Sequence, residues 1–311
     1  MISVVFPGQG SQKVGMGYDF FNKYDYVKNI FKKAEEILNY KISNLIFNGP
    51  QDKLNQTMYT QPSIYLIGHI IVEILRKETN FFNKKLNFFS GHSLGEYTAL
   101  TSAKALTFEQ GLIMLKNRGE AMQSAVPLGT GGMLAILGTD IEEIKNLIDN
   151  NSEKIRCHIA NDNSIGQVIV SGKNNELEKF SQVLKEKKIK NIKLPVSAPF
   201  HCKLMNKATE IMKSEIEKSN FLEAKTPLIS NVTAKEISNL VELKRLLINQ
   251  IENRVRWRES VNYMINNGIN HFIEIGPGKV LSGLVKRISK DVKINSINEE
   301  IDIKELKIWM I

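Results

Sequence analysis

Short runs of apolar residues alternate along the chain with longer segments in which apolar residues recur at helical spacing. The short runs predict strands at 2–6, 86–89, 227–230, 271–275 and 292–297. The helical spacing predicts helices at 26–38, 64–75, 96–105, 108–124, 205–219, 240–250, 259–267 and 280–288. Strands separated by helices in this way favour an α/β fold with a mainly parallel sheet covered by helices.

A different order of elements begins after Pro127. Gly129 to Gly132 forms a flexible joint, and the pattern then predicts strands at 133–137, 155–160, 167–171 and 189–194, with helices at 141–150 and 175–187. This β-α-β-β-α-β order is the split βαβ arrangement of a ferredoxin-like domain. We therefore predict a small inserted domain at residues 129–195, within a larger domain formed by residues 1–128 and 196–311.

Composition and charge exclude some classes of function. The chain has 311 residues, of which 42% are hydrophobic and 24% charged, as in ordinary globular proteins. Its formal charge of +9 comes from 42 basic and 33 acidic residues. The basic residues are spread along the chain, without the run typical of a nucleic-acid arm. Codon bias explains the many lysines; an acidic partner drawn to a basic face is the alternative.

The cysteines and apolar segments bear on location. Cys157 and Cys202 are too few for a disulfide framework and lack metal-binding spacing, which favours a reducing compartment. The N-terminus predicts a strand and has no basic n-region, so no signal peptide is expected. The longest apolar segment, 64–75, is too short to span a bilayer. We expect a soluble protein of the cytoplasm, or of the equivalent compartment of an organelle.

The stretch Gly91-His92-Ser93-Leu94-Gly95 has the spacing of a nucleophile elbow and lies between a predicted strand and a predicted helix. A Cβ atom on either glycine would collide with that strand or helix. The turn would push the Ser93 hydroxyl out of the backbone and aim the first amides of the helix at an oxyanion. A plain glycine-bordered turn with a serine cap is the alternative.

A serine nucleophile needs a base, and histidine is the usual one. We expect His69 to be a core residue, His92 to turn its ring away from the hydroxyl, and His158 and His271 to lie in strands. His201 lies in a loop ahead of a helix, where catalytic groups are common. It is the first candidate, although position alone leaves the other four open.

Two more residues could contribute chemistry. Cys202 would allow a cysteine–histidine pair with His201, but adjacent side chains usually diverge. Arg118 lies in a predicted helix, where an arginine is normally solvated or in a salt bridge. If it faces the elbow, its planar fork suits a carboxylate. Spacing does not decide which way Arg118 faces.

Further motifs, each different from the others, are distributed along the whole chain. They are Phe6-Pro7-Gly8-Gln9-Gly10-Ser11-Gln12, Glu96-Tyr97 after the elbow, Lys116-Asn117-Arg118-Gly119, Asn161, Gln167-Val168-Ile169-Val170-Ser171-Gly172, Pro199-Phe200-His201, Gln250 with Val255-Arg256-Trp257, and Ile273-Glu274-Ile275-Gly276-Pro277-Gly278. On these motifs the chain resembles the malonyl-CoA:acyl-carrier-protein acyltransferases of bacterial fatty-acid synthesis. The resemblance implies a hydrolase-like α/β core with a ferredoxin-like insert, in agreement with the predicted domains.

The resemblance also implies roles for individual residues. Ser93 would be the nucleophile and His201 the general base, oriented by a carbonyl oxygen of Gln250. The main-chain amides of Gln9 and Leu94 would form the oxyanion hole.

The same resemblance implies a substrate pocket and partners. Arg118 would hold the free carboxylate of malonyl, and Phe200 fits members that prefer malonyl over methylmalonyl. His92 and Asn161 would line the pocket. The partners would be malonyl-CoA and an acidic, phosphopantetheinylated acyl carrier protein, with no metal or bound cofactor. Nucleic acid and membrane are not expected as partners, and a monomer is expected. Lysines that could dock the carrier are Lys185, Lys187, Lys188, Lys190 and Lys193, and a solvated lysine face is the alternative.

The implied activity is malonyl transfer from malonyl-CoA to the carrier through a malonyl-serine, supplying fatty-acid synthesis. The family usually has proline before Val-Arg-Trp; this chain has Arg254, which we expect to loosen the loop after Gln250. The alternatives are a stand-alone acyltransferase of a polyketide pathway, a serine esterase or thioesterase, and a non-catalytic scaffold that binds a carrier.

Overall fold

The computed structural model describes residues 1–127, 129–196 and 198–309. Leu128, at the end of the first predicted domain segment, and Ser197, at the start of the loop before His201, lie outside these residues. In the described part the strands are β1 (Ile2–Phe6), β2 (Leu86–Gly91), β3 (Gly131–Leu137), β4 (Cys157–Ser164), β5 (Gln167–Lys173), β6 (Lys190–Lys193), β7 (Leu228–Ile229), β8 (His271–Ile275) and β9 (Lys293–Ile297).

The helices cover both sheets. They are α1 (Tyr18–Lys23), α2 (Asp25–Leu38), α3 (Ile42–Asn48), α4 (Gln51–Leu54), α5 (Thr57–Glu78), α6 (Gly95–Ser102), α7 (Phe108–Ser124), α8 (Ile141–Asp149), α9 (Asn174–Glu186), α10 (Asn206–Lys218), α11 (Leu240–Gln250), α12 (Trp257–Asn266), α13 (Val280–Ile288) and α14 (Glu300–Trp309). Among the helices described, none has the length and apolar character needed to span a bilayer.

The predicted elements are present, and most differ from the observed ones only at their ends. Helix α5 begins at Thr57, seven residues before the predicted start at residue 64. The apolar pattern does not show these first turns, because they carry polar residues and Pro62. The described residues also contain four α-helices that the sequence pattern does not predict, namely α1, α3, α4 and the C-terminal α14. The last is capped by Asp302, whose carboxylate accepts from the amides of Asn298 and Glu299 at 2.9 Å.

The larger sheet is parallel throughout, in the order β7-β2-β1-β8-β9. Its central strand β1 is buried on both faces, as its unbroken apolar run predicts. The carboxyl ends of β1, β2 and β7 meet at one edge. Parallel α/β sheets bind ligands at this edge, so the loops after these strands are placed to form a site.

The smaller sheet is antiparallel, in the order β4-β5-β3-β6. In chain order its strands lie second, third, first and fourth, which is the split βαβ arrangement that the sequence predicts. Side chains alternate between its faces. Leu134 and Ile136 pack in a core with residues of α8 and α9, whereas Met133 and Ala135 pack against the core of the larger sheet. The domain boundaries at 129 and 195 stay a prediction.

Strand β4 also joins the smaller sheet to the segment that follows Gln250. The amide of Val255 donates to the oxygen of Ala160 at 2.8 Å, and the amide of Asp162 donates to the oxygen of Val255 at 2.9 Å. The buried Asp162 carboxylate also accepts from Arg258 Nε at 3.0 Å. The segment after Gln250 is therefore held to β4 on both sides of Val255.

Candidate active site

The elbow adopts the strained turn that its sequence predicts. Ser93 has φ of 54°, in the left-handed region, directly between β2 and α6. A Cβ atom on Gly91 would lie 1.8 Å from the carbonyl carbon of Gly95, and one on Gly95 would lie 2.3 Å from the oxygen of Phe6. Both glycines are therefore required by close packing of strand and helix.

Asn231 fastens the elbow from the neighbouring strand. Its Oδ1 accepts from the amide of Ser93 at 2.7 Å, and its Nδ2 donates to the oxygen of Gly91 at 2.7 Å. The side chain thus bridges both sides of the turn. Sequence reasoning missed this residue. The available signal was its place just beyond a predicted strand, since polar residues at the carboxyl ends of parallel strands gather at one edge.

His201 lies within hydrogen-bond distance of the nucleophile candidate. Its Nε2 is 2.8 Å from Ser93 Oγ, and its Nδ1 is 2.8 Å from the main-chain oxygen of Gln250. Burial, and then the nearby positive charge of Arg118, lower the pKa of His201 to about 3. The imidazole is therefore neutral and able to accept a proton.

The remaining four histidines lie in other surroundings, and none of them makes a hydrogen bond to Ser93 Oγ among the described residues. His69 stacks on Phe108 at 4.3 Å between ring centres, as a core residue would. The ring of His92 turns to Asn163, with Nε2 2.9 Å from Oδ1. His158 lies within β4 and His271 begins β8.

The cysteine–histidine pair receives no support from the geometry. The buried Sγ of Cys202 donates to the main-chain oxygen of Pro199 at 3.1 Å. Burial raises the pKa of this thiol to about 11, which disfavours the reactive thiolate.

Arg118 faces the elbow, which spacing alone could not decide. The residue is only 1% exposed, and its guanidinium donates to Gln61 Oε1 at 2.6 Å, to Gln250 Oε1 at 2.9 Å and to Ser93 Oγ at 3.2 Å. Burial lowers its pKa from the ordinary value. Within the described residues no carboxylate contacts it. A buried cation without an anion in contact is a ready site for a ligand carboxylate.

Glu96 is a buried acid that acts electrostatically on Arg118 and supports the site through hydrogen bonds. Its carboxylate accepts from the amide of Asn231 at 2.7 Å and from Gln250 Nε2. Burial raises its pKa to about 8. Since Gln250 also donates to the oxygen of Ser93 at 3.0 Å, one glutamine joins the acid, the elbow and the histidine. In the sequence, Glu96 belongs to the motif after the elbow, where the pattern assigns it no role.

Two main-chain amides belong to residues beside the same cavity. Those of Gln9, in the loop after β1, and Leu94, at the start of α6, make no hydrogen bond within the described part of the chain. Both residues line the cavity that contains Ser93 and His201. Free amides beside a serine hydroxyl, one of them at a helix N-terminus, can stabilise a developing oxyanion.

The cavity measures about 580 Å³ and lies between the two sheets. The predicted pocket residues His92, Asn161 and Phe200 all line it. Residues of the smaller sheet supply an apolar wall, namely Met133, Ala135 and Ile169. The site therefore combines the guanidinium of Arg118, close to Ser93, with an apolar wall. Such a site suits an acyl group that ends in a carboxylate.

Arg254 does not disturb the contact that orients the histidine. Its Nη2 donates to Glu259 Oε1 at 2.9 Å, and the adjoining Val255 is paired with β4. The 2.8 Å contact between His201 and Gln250 is formed in its presence. The effect of Arg254 on activity stays a prediction.

Known proteins resemble this chain along nearly its whole length. The model of the acyl transferase domain family matches residues 4–302. A malonyl CoA-acyl carrier protein transacylase of Bacillus subtilis is 40% identical, over 98% of this chain and 97% of its own. A protein of the same name from Staphylococcus aureus is 36% identical over 97% of each chain.

Solved structures agree with these sequences. An acyl-carrier-protein-S-malonyltransferase from Bartonella henselae superposes with a TM-score of 0.95 at 36% identity, covering 100% of this chain and 99% of its own. A malonyl-transacylase in complex with a type II PKS acyl-carrier protein gives 0.93 at 33% identity, covering 98% of both chains. The chain therefore belongs to the acyl transferase domain family, and within it to the family of malonyl CoA-acyl carrier protein transacylases.

Proposed function

We propose that this acyltransferase moves malonyl from malonyl-CoA to the phosphopantetheine thiol of an acyl carrier protein, supplying extender units for fatty-acid synthesis. The observation that carries the proposal is the buried guanidinium of Arg118, 3.2 Å from Ser93 Oγ and without a carboxylate in contact among the described residues. An esterase for simple esters has no need of a buried cation beside its serine. An acyl group with a free carboxylate does need one.

The first half-reaction acylates Ser93. Its oxygen attacks the thioester carbonyl while its proton passes to Nε2 of His201. The tetrahedral oxyanion is held by the amides of Gln9 and Leu94, each contributing about 3 kcal/mol. The carbon–sulfur bond then breaks, the thiolate of coenzyme A takes the proton from His201, and a malonyl-serine ester remains.

The second half-reaction reverses these steps with another thiol. The phosphopantetheine thiol gives its proton to His201, its sulfur attacks the ester, and the Ser93 oxygen leaves and recovers the proton. Two substrates use one site in turn, so the kinetics are ping-pong. Proton transfer and oxyanion binding suffice for this sequence, and we propose no metal or bound cofactor.

The proposed carrier is acidic, which suits the formal charge of +9. The docking lysines Lys185, Lys187, Lys188, Lys190 and Lys193 are all exposed on α9, on β6 and between them. Support for a carrier partner comes from the similar malonyl-transacylase whose structure holds its acyl-carrier protein. We further propose that residues 129–195 act as a separate folding unit and that the enzyme works as a monomer, in a reducing compartment that keeps its cysteines free.

A second pathway deserves a test, since that same relative serves a type II PKS carrier. Purified enzyme, malonyl-CoA and a panel of fatty-acid and polyketide carriers should be mixed, and malonyl-carrier measured by mass spectrometry. We expect faster transfer to the fatty-acid carrier of the same organism. Preference for a polyketide carrier would favour the second pathway. Release of free malonate faster than transfer to any thiol would favour an esterase and contradict the proposal.

A further inference from the structure

A buried chain of hydrogen bonds runs from Arg118 to Gln9 through the first turns of α5. Arg118 Nη1 lies 2.6 Å from Gln61 Oε1, Gln61 Nε2 lies 3.0 Å from Thr57 Oγ1, and Thr57 Oγ1 lies 2.8 Å from Gln9 Oε1. Thr57 is completely buried and Gln61 is 1% exposed. These polar side chains lie in the part of α5 that the apolar pattern failed to mark.

Arg118 fixes the orientation of the Gln61 side chain. A guanidinium can only donate, so the atom of Gln61 that faces it is the amide oxygen. The amide nitrogen of Gln61 then donates to Thr57, and the hydroxyl proton of Thr57 is left to donate to Gln9. Gln61 can make its two bonds in only one orientation, because reversing its amide would place the nitrogen against the guanidinium and leave buried groups without a partner.

The packing of α7 on α5 allows the chain to form. A Cβ atom on Gly119 would lie 2.8 Å from the Cα of Met58 and 2.9 Å from the oxygen of Thr57. The main chains of the two helices are therefore in close contact beside Arg118, at the turn that carries Thr57. Glycine at this position brings the guanidinium within reach of Gln61.

We propose that Thr57 and Gln61 are positioning residues that tie the carboxylate seat at Arg118 to the oxyanion hole at Gln9. Gln9 lies in a loop and its side chain is partly exposed, so the bond from Thr57 is what anchors it to a buried helix. Holding that side chain in place fixes the direction of the main-chain N–H group of Gln9. Small misplacement of such a donor slows catalysis by up to about 100-fold. The inference rests on the proposed function, which gives the Gln9 amide its role.

The test compares Thr57→Val, which keeps the shape of the side chain but removes the hydroxyl, with Thr57→Ser, which keeps the hydroxyl. Ser63→Ala is the matched control, because the Ser63 hydroxyl is buried on the same helix and has no partner among the described residues. The rate of acyl-serine formation is measured by rapid quench, with malonyl-CoA and acetyl-CoA, per site that becomes acylated. Counting only acylated sites removes any contribution from misfolded protein.

We expect Thr57→Val to slow acylation at saturating substrate about tenfold or more for both acyl groups, with KM little changed. Thr57→Ser and Ser63→Ala should remain within about twofold of the parent. If Thr57→Val does not fold, Gln9→Met breaks the same bond from the loop side and should show the same loss. A double variant of Thr57→Val and Gln9→Met should be no slower than either single variant.

An unchanged rate in Thr57→Val or Gln9→Met would overturn the inference, as would equal losses in Thr57→Val and Thr57→Ser. Failure of the proposed function looks different. In that case the parent enzyme itself forms no malonyl-serine, and the inference falls with it. If the parent enzyme forms malonyl-serine and Thr57→Val forms it equally fast, only the positioning role is refuted and the proposed function stands.

Discussion

The Nδ1 atom of His201 lies 2.8 Å from the main-chain oxygen of Gln250, and this contact fixes the proton on the ring. A carbonyl oxygen only accepts, so Nδ1 carries the hydrogen and Nε2 presents a lone pair. That lone pair faces Ser93 Oγ at 2.8 Å. A carbonyl therefore orients the imidazole here, where many serine hydrolases use a carboxylate.

The first prediction concerns pH. The pKa of His201 is lowered to about 3 in the folded protein, against an ordinary value near 6.5. As the pH falls, the unfolded chain therefore binds the proton before the folded protein does. The stability that neutral His201 contributes is fully present above pH about 6.5 and is lost as the pH falls towards about 3. The acid limb of kcat/KM should likewise lie below 6.5.

Chemical unfolding at a series of pH values and a pH–rate profile measure both effects. His201→Gln is the control, and its unfolding free energy should depend less on pH in that window. An acid limb centred at 6.5 or above, or a profile of stability unchanged by the substitution, would show that the ring is not buried as described.

The second prediction concerns Arg118. Arg118→Ala should reduce malonyl transfer about 100-fold more than acetyl transfer, because only malonyl offers a carboxylate to the guanidinium. Both rates should fall somewhat, since the guanidinium also donates to Ser93 Oγ. Arg118→Lys keeps the charge without the planar fork, and should recover only part of the difference. Steady-state rates with the two thioesters measure it, and equal losses for both would refute the carboxylate seat.

The third prediction concerns Asn231, which sequence reasoning missed. Asn231→Ala should lower the free energy of unfolding by about 1–3 kcal/mol, because the main-chain amide of Ser93 and the buried oxygen of Gly91 lose their partner. It should also slow acylation, since the elbow is no longer fastened. Asn295→Ala is the control: it breaks a comparable bond to His271 at the far edge of the sheet and should leave acylation unchanged. Equal rates in the two variants would argue against a fastening role.

The fourth prediction compares two glycines. Gly95→Ala should prevent stable folding or lower the melting temperature strongly, because the new Cβ atom would lie 2.3 Å from the oxygen of Phe6. Gly283→Ala, in α13, meets no atom within 4 Å among the described residues and should be neutral or stabilising by up to about 1 kcal/mol. Thermal melts of both variants check this. A stable Gly95→Ala variant would mean that helix and strand are less closely packed at the elbow.

The sequence predicts local features better than contacts between residues that are far apart along the chain. The elbow at Ser93 follows from one strand–turn–helix segment, and the helix that carries Arg118 follows from the spacing of apolar residues within that helix. Whether Arg118 faces the elbow depends on how α7 packs on α5 at Gly119, which no periodicity in α7 alone contains. Thr57 was missed for a related reason. A buried polar residue looks like a surface residue until its hydrogen-bond partners are known.

Position along the chain limited the remaining predictions. The bond between Ser93 and His201 closes a separation of 108 residues, and only the fold brings their loops together. Asn231 follows the two-residue strand β7, whose place beside β2 is a matter of sheet order. The resemblance to a known family supplied roles for Gln9 and Gln250 that spacing did not suggest. It said nothing of Asn231.

The most direct test of the central claim is the mass of the enzyme after brief mixing with malonyl-CoA. The enzyme is quenched in acid and digested, and the peptide that contains Ser93 is sequenced by mass spectrometry. We expect one malonyl group on Ser93 in the parent, none in Ser93→Ala, and a loss of turnover of at least about 10⁴-fold in that variant. A malonyl group on Ser93→Ala, or on another residue of the parent, would contradict the account.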